Sequence, residues 1–286
     1  LNKNEKLVYE NERGQTIEFS TVSLFFVTNV DGIDGLKNTI YTSKSMNQDG
    51  DTCVGSTLES RNIVVSGSIR KDKENNRAKL LSILNPKLDG KITYINKNME
   101  KSIKCKIEKA PTISQDRLPN FVVSFICNNP YWTDILENKE EIALWKGDFS
   151  FELEISQDTG IEMGHREPSL IVNVLNEGDV ECGMKVEFKA LATVVNPSIL
   201  NVNTQEYIKI NKTMTAGEII IVTTGFGNKK VESYLNGVPT NAFNYIDFQS
   251  TFLQLDVGDN LFRYNAEENI DNLEVSIYYT PQYLGV

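Results

Sequence analysis

An almost wholly β chain in two domains is what this sequence predicts, and three observations carry that reading. Apolar and polar residues alternate with a period of two in segment after segment: Ile103, Cys105 and Ile107; Met184 through Ala190; Leu273 through Ile277. Such alternation marks strands with one wet face. Only one stretch follows helical spacing. The 286 residues also exceed the needs of one small core and suit two domains.

Taken in order, the apolar runs at 24–27, 63–65, 121–126 and 170–174 predict strands buried on both faces. The single helix is expected over 72–84, within about 72–85. Asp72 is placed to cap it by its side chain, and Glu74 adds negative charge near the positive end of the dipole. Arg77, Leu80, Leu81 and Leu84 follow helical spacing, and Pro86 forbids continuation. Residues 149–155 alternate cleanly, and Asn236-Gly237 signals a two-residue hairpin turn. The boundary is expected at Asn129-Pro130-Tyr131-Trp132, where an apolar strand ends and Pro130 removes a backbone donor. That divides the chain into a first domain, 1–130, of strands plus one helix, and a second, 131–286. The second half carries eight or nine strand signals, the density of a β-sandwich.

A net charge of −10 repels phosphates, so sequence-independent nucleic-acid binding is not expected. A conduit through which nucleic acid slides without sticking is compatible with it. No apolar run approaches the roughly 20 residues that span a bilayer, and Leu1 through Lys6 lack the apolar core of an export signal. Neither a membrane partner nor classical export is expected. Cys53, Cys105, Cys127 and Cys182 are scattered, unlike zinc ligands or a disulfide framework. Reduced, structural thiols are expected, with no metal and no cofactor.

Catalytic chemistry finds little support. The single histidine, His165, lies between a glycine and a proline in an expected loop, with no serine in a nucleophile elbow. Glu152, Glu154, Glu181, Glu187 and Glu274 could supply a glycosidase pair, but most occupy the wet alternate positions of strands. Gly178-Asp179, Gly258-Asp259-Asn260 and Gly225-Phe226-Gly227 read as turns. Tyr131, Trp132, Tyr278, Tyr279 and Tyr283 read as packing before they read as a sugar platform or a partner-binding patch.

The ordered set Asn129-Pro130-Tyr131-Trp132, 176–181, 207–210, 250–255 with Gly258-Asp259-Asn260, and Tyr279-Thr280-Pro281-Gln282-Tyr283-Leu284-Gly285-Val286 resembles the distal tail proteins (Dit) of siphovirus-type phages and prophages of low-GC Gram-positive hosts. The resemblance spans most of 120–286, and the first 120 residues agree in layout. Cys182-Gly183 departs from the small or proline-rich sequence of many relatives. The resemblance implies a structural virion protein made in the host cytoplasm. It implies a homo-hexameric ring built by the first domains, with galectin-like or carbohydrate-module-like sandwiches projecting outward. The ring would adapt the tail tube to the tail-tip hub and the receptor-binding or baseplate proteins, with DNA passing through its lumen. Six copies would carry about −60 in total. The four residues 129–132 are expected to lock the interdomain junction. A lectin-like module is the competing reading, and a glycoside hydrolase a more distant one.

Overall fold

Alternation in the first part of the chain closes a barrel. In this computed structural model, which describes residues 1–142 and 171–286 and the backbone of 145–146 and 165–166, the strands run β1 (Lys6–Asn11), β2 (Thr16–Ser20), β3 (Phe25–Asp31), β4 (Asn38–Ser43), β5 (Thr52–Leu58) and β6 (Arg61–Ile69). Helix α1 (Lys73–Ile83) follows, then β7 (Asp89–Ile95), β8 (Glu100–Ile113), β9 (Asn120–Cys127) and β10 (Trp132–Asp134). Hydrogen bonding proceeds β8-β7-β1-β2-β3-β6-β9, and β9 pairs back onto β8. Among the described pairings of this barrel only β2 and β3 are parallel, with Phe19 opposite Phe25. Inward residues such as Leu7, Tyr9, Phe19, Val65, Ile92, Ile103 and Phe125 fill the interior.

The 14-residue β8 makes closure possible, because different lengths of it serve different neighbours. Lys106 to Ile113 pair with β9, whereas Lys101 and Ser102 pair with β10. Trp132 on β10 then pairs with Tyr283, so the late strand Gln282–Tyr283 extends this same sheet. Two compact units result: Leu1–Ile135 with Gln282–Val286, and Leu136–Pro281. The division falls five residues beyond the expected one, and the last five residues return to the first unit.

The apolar runs are not buried on both faces as expected. Residues 121–126 alternate buried and accessible, with Val122 exposed, and Ile171 is likewise exposed. A barrel wall or sandwich sheet buries one face only, and β-branched residues suit the outer face as well. The helix matches its expected span within a residue at each end, but Asp72 makes no cap bond. Its φ is +41°, and its carboxylate accepts from Asn75 Nδ2 at 2.8 Å instead. Leu80, Ile83 and Leu84 face the core, while Leu81 is exposed.

The second unit contains β11 (Asn138–Glu141), β12 (Trp145–Lys146), β13 (His165–Arg166), β14 (Ile171–Asn176), β15 (Cys182–Ala190), β16 (Val194–Val195), β17 (Ser198–Asn201) and β18 (Tyr207–Lys209). It continues with β19 (Thr213–Met214), β20 (Ile219–Thr223), β21 (Lys230–Leu235), β22 (Val238–Asn241), β23 (Gln254–Leu255), β24 (Gly258–Asn265) and β25 (Leu273–Tyr279). One sheet is ordered β11-β25-β15-β20-β21-β22 with β23 on β15; another is ordered β14-β24-β17-β18. Val186, Phe188, Ile220 and Ile277 from the first and Val174, Ile199, Phe262 and Tyr264 from the second share one core, which makes the unit a sandwich. Asn236 and Gly237, at φ +53° and +78°, turn β21 into β22 as the sequence predicts. His165 is not in a loop: its backbone pairs with Lys146. Residues 149–155, with Glu152 and Glu154, lie outside the described residues.

Candidate functional site: a bare hairpin and the arginine at its root

Strands β4 and β5 form a two-stranded hairpin apart from the barrel sheet, paired from Asn38↔Leu58 to Ser43↔Thr52. Neither strand has a buried residue. Ile40 stands 60% and Val54 70% exposed, with Tyr41 and Met46 also bare. An isolated hairpin is marginal in water, and apolar residues on it gain nothing unless something covers them. Its base is tied by polar contacts. Glu59 accepts from Thr39 Oγ1 at 2.5 Å and pairs with Lys37 Nζ at 2.9 Å, and these bonds hold its carboxyl below the ordinary range.

Directly after the hairpin comes Arg61, 3% exposed at the start of β6. Its guanidinium binds backbone carbonyls from three separate segments. Nε donates to Pro130 O (2.8 Å), Nη1 to Gly32 O (2.8 Å) and Ile33 O (2.6 Å), and Nη2 to Leu284 O (2.5 Å). Trp132, fully buried, lies 5.9 Å from the guanidinium, and its Nε1 donates to Ile33 O at 3.2 Å. Burial pushes the Arg61 pKa down, with nearby Cys127 and Asp34 opposing, yet a guanidinium remains charged. Gly32 is required here: its φ is +84°, and a Cβ would stand 1.9 Å from Asn62 O. A cleft of about 770 Å³ opens beside this node, lined by Asp31, Asp34, Lys37 and Glu59 among others.

A second clamp holds the late strand. Asp134 accepts from Lys101 Nζ at 2.5 Å and from the Tyr283 hydroxyl at 3.0 Å, while the Lys101 ammonium sits 3.4 Å over the Tyr283 ring. Burial works against the Lys101 charge, but hydrogen bonding to Asp134 and Tyr283 prevails and raises its pKa. Together the two clamps fix the loop leading into the hairpin, the 130–134 segment and the late strand as one piece.

The four expected junction residues all belong to the first unit. Asn129 is exposed and its Oδ1 accepts the Tyr131 N–H at 3.1 Å; Pro130 offers its carbonyl to Arg61; Tyr131 is half-buried; Trp132 is core. Of the other aromatics, Tyr279 is buried and its hydroxyl donates to Leu175 O at 3.0 Å, while Tyr278 lies under Lys185 at 4.3 Å. Both pack within the second unit. Glu274 is paired with Lys189 at 2.8 Å. Among the described residues no cluster of His, Cys, Asp or Glu is placed to hold a metal. The turns at Gly178, Gly227 and Gly258 close through local bonds, as when Asn176 Oδ1 accepts the Gly178 N–H at 3.0 Å.

The described residues thus form a closed barrel with one helix, bearing a bare hairpin, and a sandwich. Residues 12–127 match the family model described as phage tail protein RIFT-related domain, and residues 177–283 match the siphovirus-type tail component, C-terminal domain. The chain belongs to the siphovirus distal tail proteins. Among solved structures it is similar to the SPP1 Dit protein, described as a paradigm of the hub adsorption apparatus in phages infecting Gram-positive bacteria. The TM-score is 0.70 at 13% identity, covering 97% of this chain and 99% of that one. Chains of the phage p2 baseplate in its activated conformation, with Ca or with Sr, are similar at TM-score 0.53 and 9% identity, with 99% of both chains covered. No curated protein sequence matches.

Proposed function

We propose that this chain is a ring-forming adaptor at the distal end of a phage tail, with six copies joining the tail tube to the tip or baseplate and the host-recognition apparatus. The hairpin β4–β5 carries the reading, because its apolar residues Ile40 and Val54 are left in solvent by their own chain. A neighbouring copy would bury them, and head-to-tail repetition of such a contact closes a ring. The first unit is then the tube-proximal ring former and the second projects from it. Residues 129–132, fastened to Arg61, set the direction in which the chain leaves the ring. DNA passes through a lumen that does not grip it, in keeping with the net charge of −10. The role is structural, not enzymatic, and its place is the virion tip, reached from the host cytoplasm.

Negative-stain imaging of the full chain tests this. Six-fold rings support it, and a monomer persisting at high concentration overturns it. The full chain is needed, because a fragment ending at 128 would lack Trp132 and the late strand. A second reading, carbohydrate binding by the second unit, has one observation in its favour: Phe226 and Phe248 are exposed, and Phe243 stacks on Phe252 at 5.9 Å. Glycan-array signal lost in Phe226→Ala and Phe248→Ala would support it.

A further inference from the structure

Cys105 and Cys127 lie on β8 and β9, the two strands whose pairing closes the barrel. Lys106 is opposite Ile126 and Ile107 opposite Phe125, so one step along the same register sets Cys105 opposite Cys127. Directly opposed residues in an antiparallel pair have Cα atoms about 4.5 or 5.5 Å apart. Both spacings fall within the roughly 4.4–6.8 Å window of a disulfide. Both side chains point inward, at 5% and 0% exposure, and the Cys127 thiol bears directly on that of Cys105, raising its pKa. A cleft of about 290 Å³, lined by Asp89, Gly90, Lys104, Cys105 and Lys106 among others, leads from the surface to the first of them.

We propose that Cys105 and Cys127 are a latent disulfide, closed by a small disulfide oxidant that enters through this cleft, and that the bond staples the barrel seam. The Cys105 thiolate attacks one sulfur of oxidised glutathione and expels one glutathione thiolate. Cys127, as thiolate, then attacks the Cys105 sulfur and expels the second. Two protein thiols are oxidised, one glutathione disulfide is reduced to two thiols, and the protons lost by the protein are taken up by them. The Cys127 thiol and then burial push the Cys105 pKa up. Closure is therefore slow at neutral pH and accelerates toward alkaline pH. The staple does not depend on the ring reading.

The test uses the full chain with Cys53→Ala, which removes the exposed hairpin thiol. Reduced protein is incubated with oxidised glutathione at alkaline pH and digested with trypsin without reductant. Cleavage after Lys106, Lys109 and Arg117 separates the two cysteines, so a disulfide links two peptides. The expected result is one linked 105–127 peptide pair, two thiols lost, and a first-unit melting temperature raised by about 5 °C or more. Cys127→Ala should instead retain glutathione on Cys105. If that variant does not fold, the peptide map of the Cys53→Ala protein decides alone. Both thiols still free after prolonged incubation, or glutathione remaining on Cys105 while Cys127 is intact, would overturn the proposal.

Discussion

Replacing Arg61 by Met keeps most of the side-chain length but withdraws the guanidinium donors from the Pro130, Gly32, Ile33 and Leu284 carbonyls, of which Ile33 O keeps the Trp132 Nε1–H. Each buried carbonyl left without a partner costs about 1–3 kcal/mol. Some of the four regain water, since Leu284 is partly exposed, and the desolvation penalty of the guanidinium disappears. With two carbonyls kept from water, the net loss falls at about 2–6 kcal/mol. With a urea m-value of about 2 kcal/mol/M for a domain of this size, the first unit's midpoint should drop by about 2 M. Trp132 fluorescence in a Trp145→Phe background reports the transition, because Trp132 lies against the guanidinium. Arg61→Lys should lose less, since it keeps a charge but cannot fork to three segments. A midpoint shift under about 0.5 M for Arg61→Met would refute the view that these bonds hold the node.

Trp132→Ala should destabilise the first unit itself by about 3–5 kcal/mol, seen in thermal unfolding, because the ring is wholly buried there; a change confined to scattering radius would contradict this. Glu218 is buried among Lys212, Ser233 Oγ (2.6 Å) and the Thr215 N–H (3.2 Å). Burial opposes its charge, but these bonds prevail and hold its pKa below the ordinary value. The second unit's stability from this group is therefore present above the usual carboxylate range and lost as pH falls through the depressed pKa. Glu218→Gln should flatten the acid limb of a stability–pH curve; an unchanged limb would exclude the carboxylate as its source. Gly237→Ala forces a Cβ into φ +78° and should cost about 1–2 kcal/mol in urea melts.

Elements with local signals were legible. The hairpin turn at Asn236-Gly237, the helix ended before Pro86, and the alternation of β15 and β25 each follow from a few neighbouring residues. Barrel closure was not, because it depends on β8 being long enough to pair with β9 and β10 at different points along one edge. Nor was the return of Tyr283 to the first unit, a pairing between residues 132 and 283 that no local pattern encodes. Arg61 carried an available sign: it is in phase with Ile63 and Val65, which face the core, so a cation was due to be buried. The apolar residues of the 121–126 run hid their periodicity because two of its outward positions, Val122 and Ile126, are also apolar.

Sedimentation velocity on the full chain and on Ile40→Lys/Val54→Lys addresses the central claim most directly. Both positions are already exposed within the chain, so each unit should keep its stability to within about 0.5 kcal/mol. The account predicts a hexamer for the unaltered chain and a folded monomer for the double variant. A double variant that assembles as the unaltered chain does would contradict it.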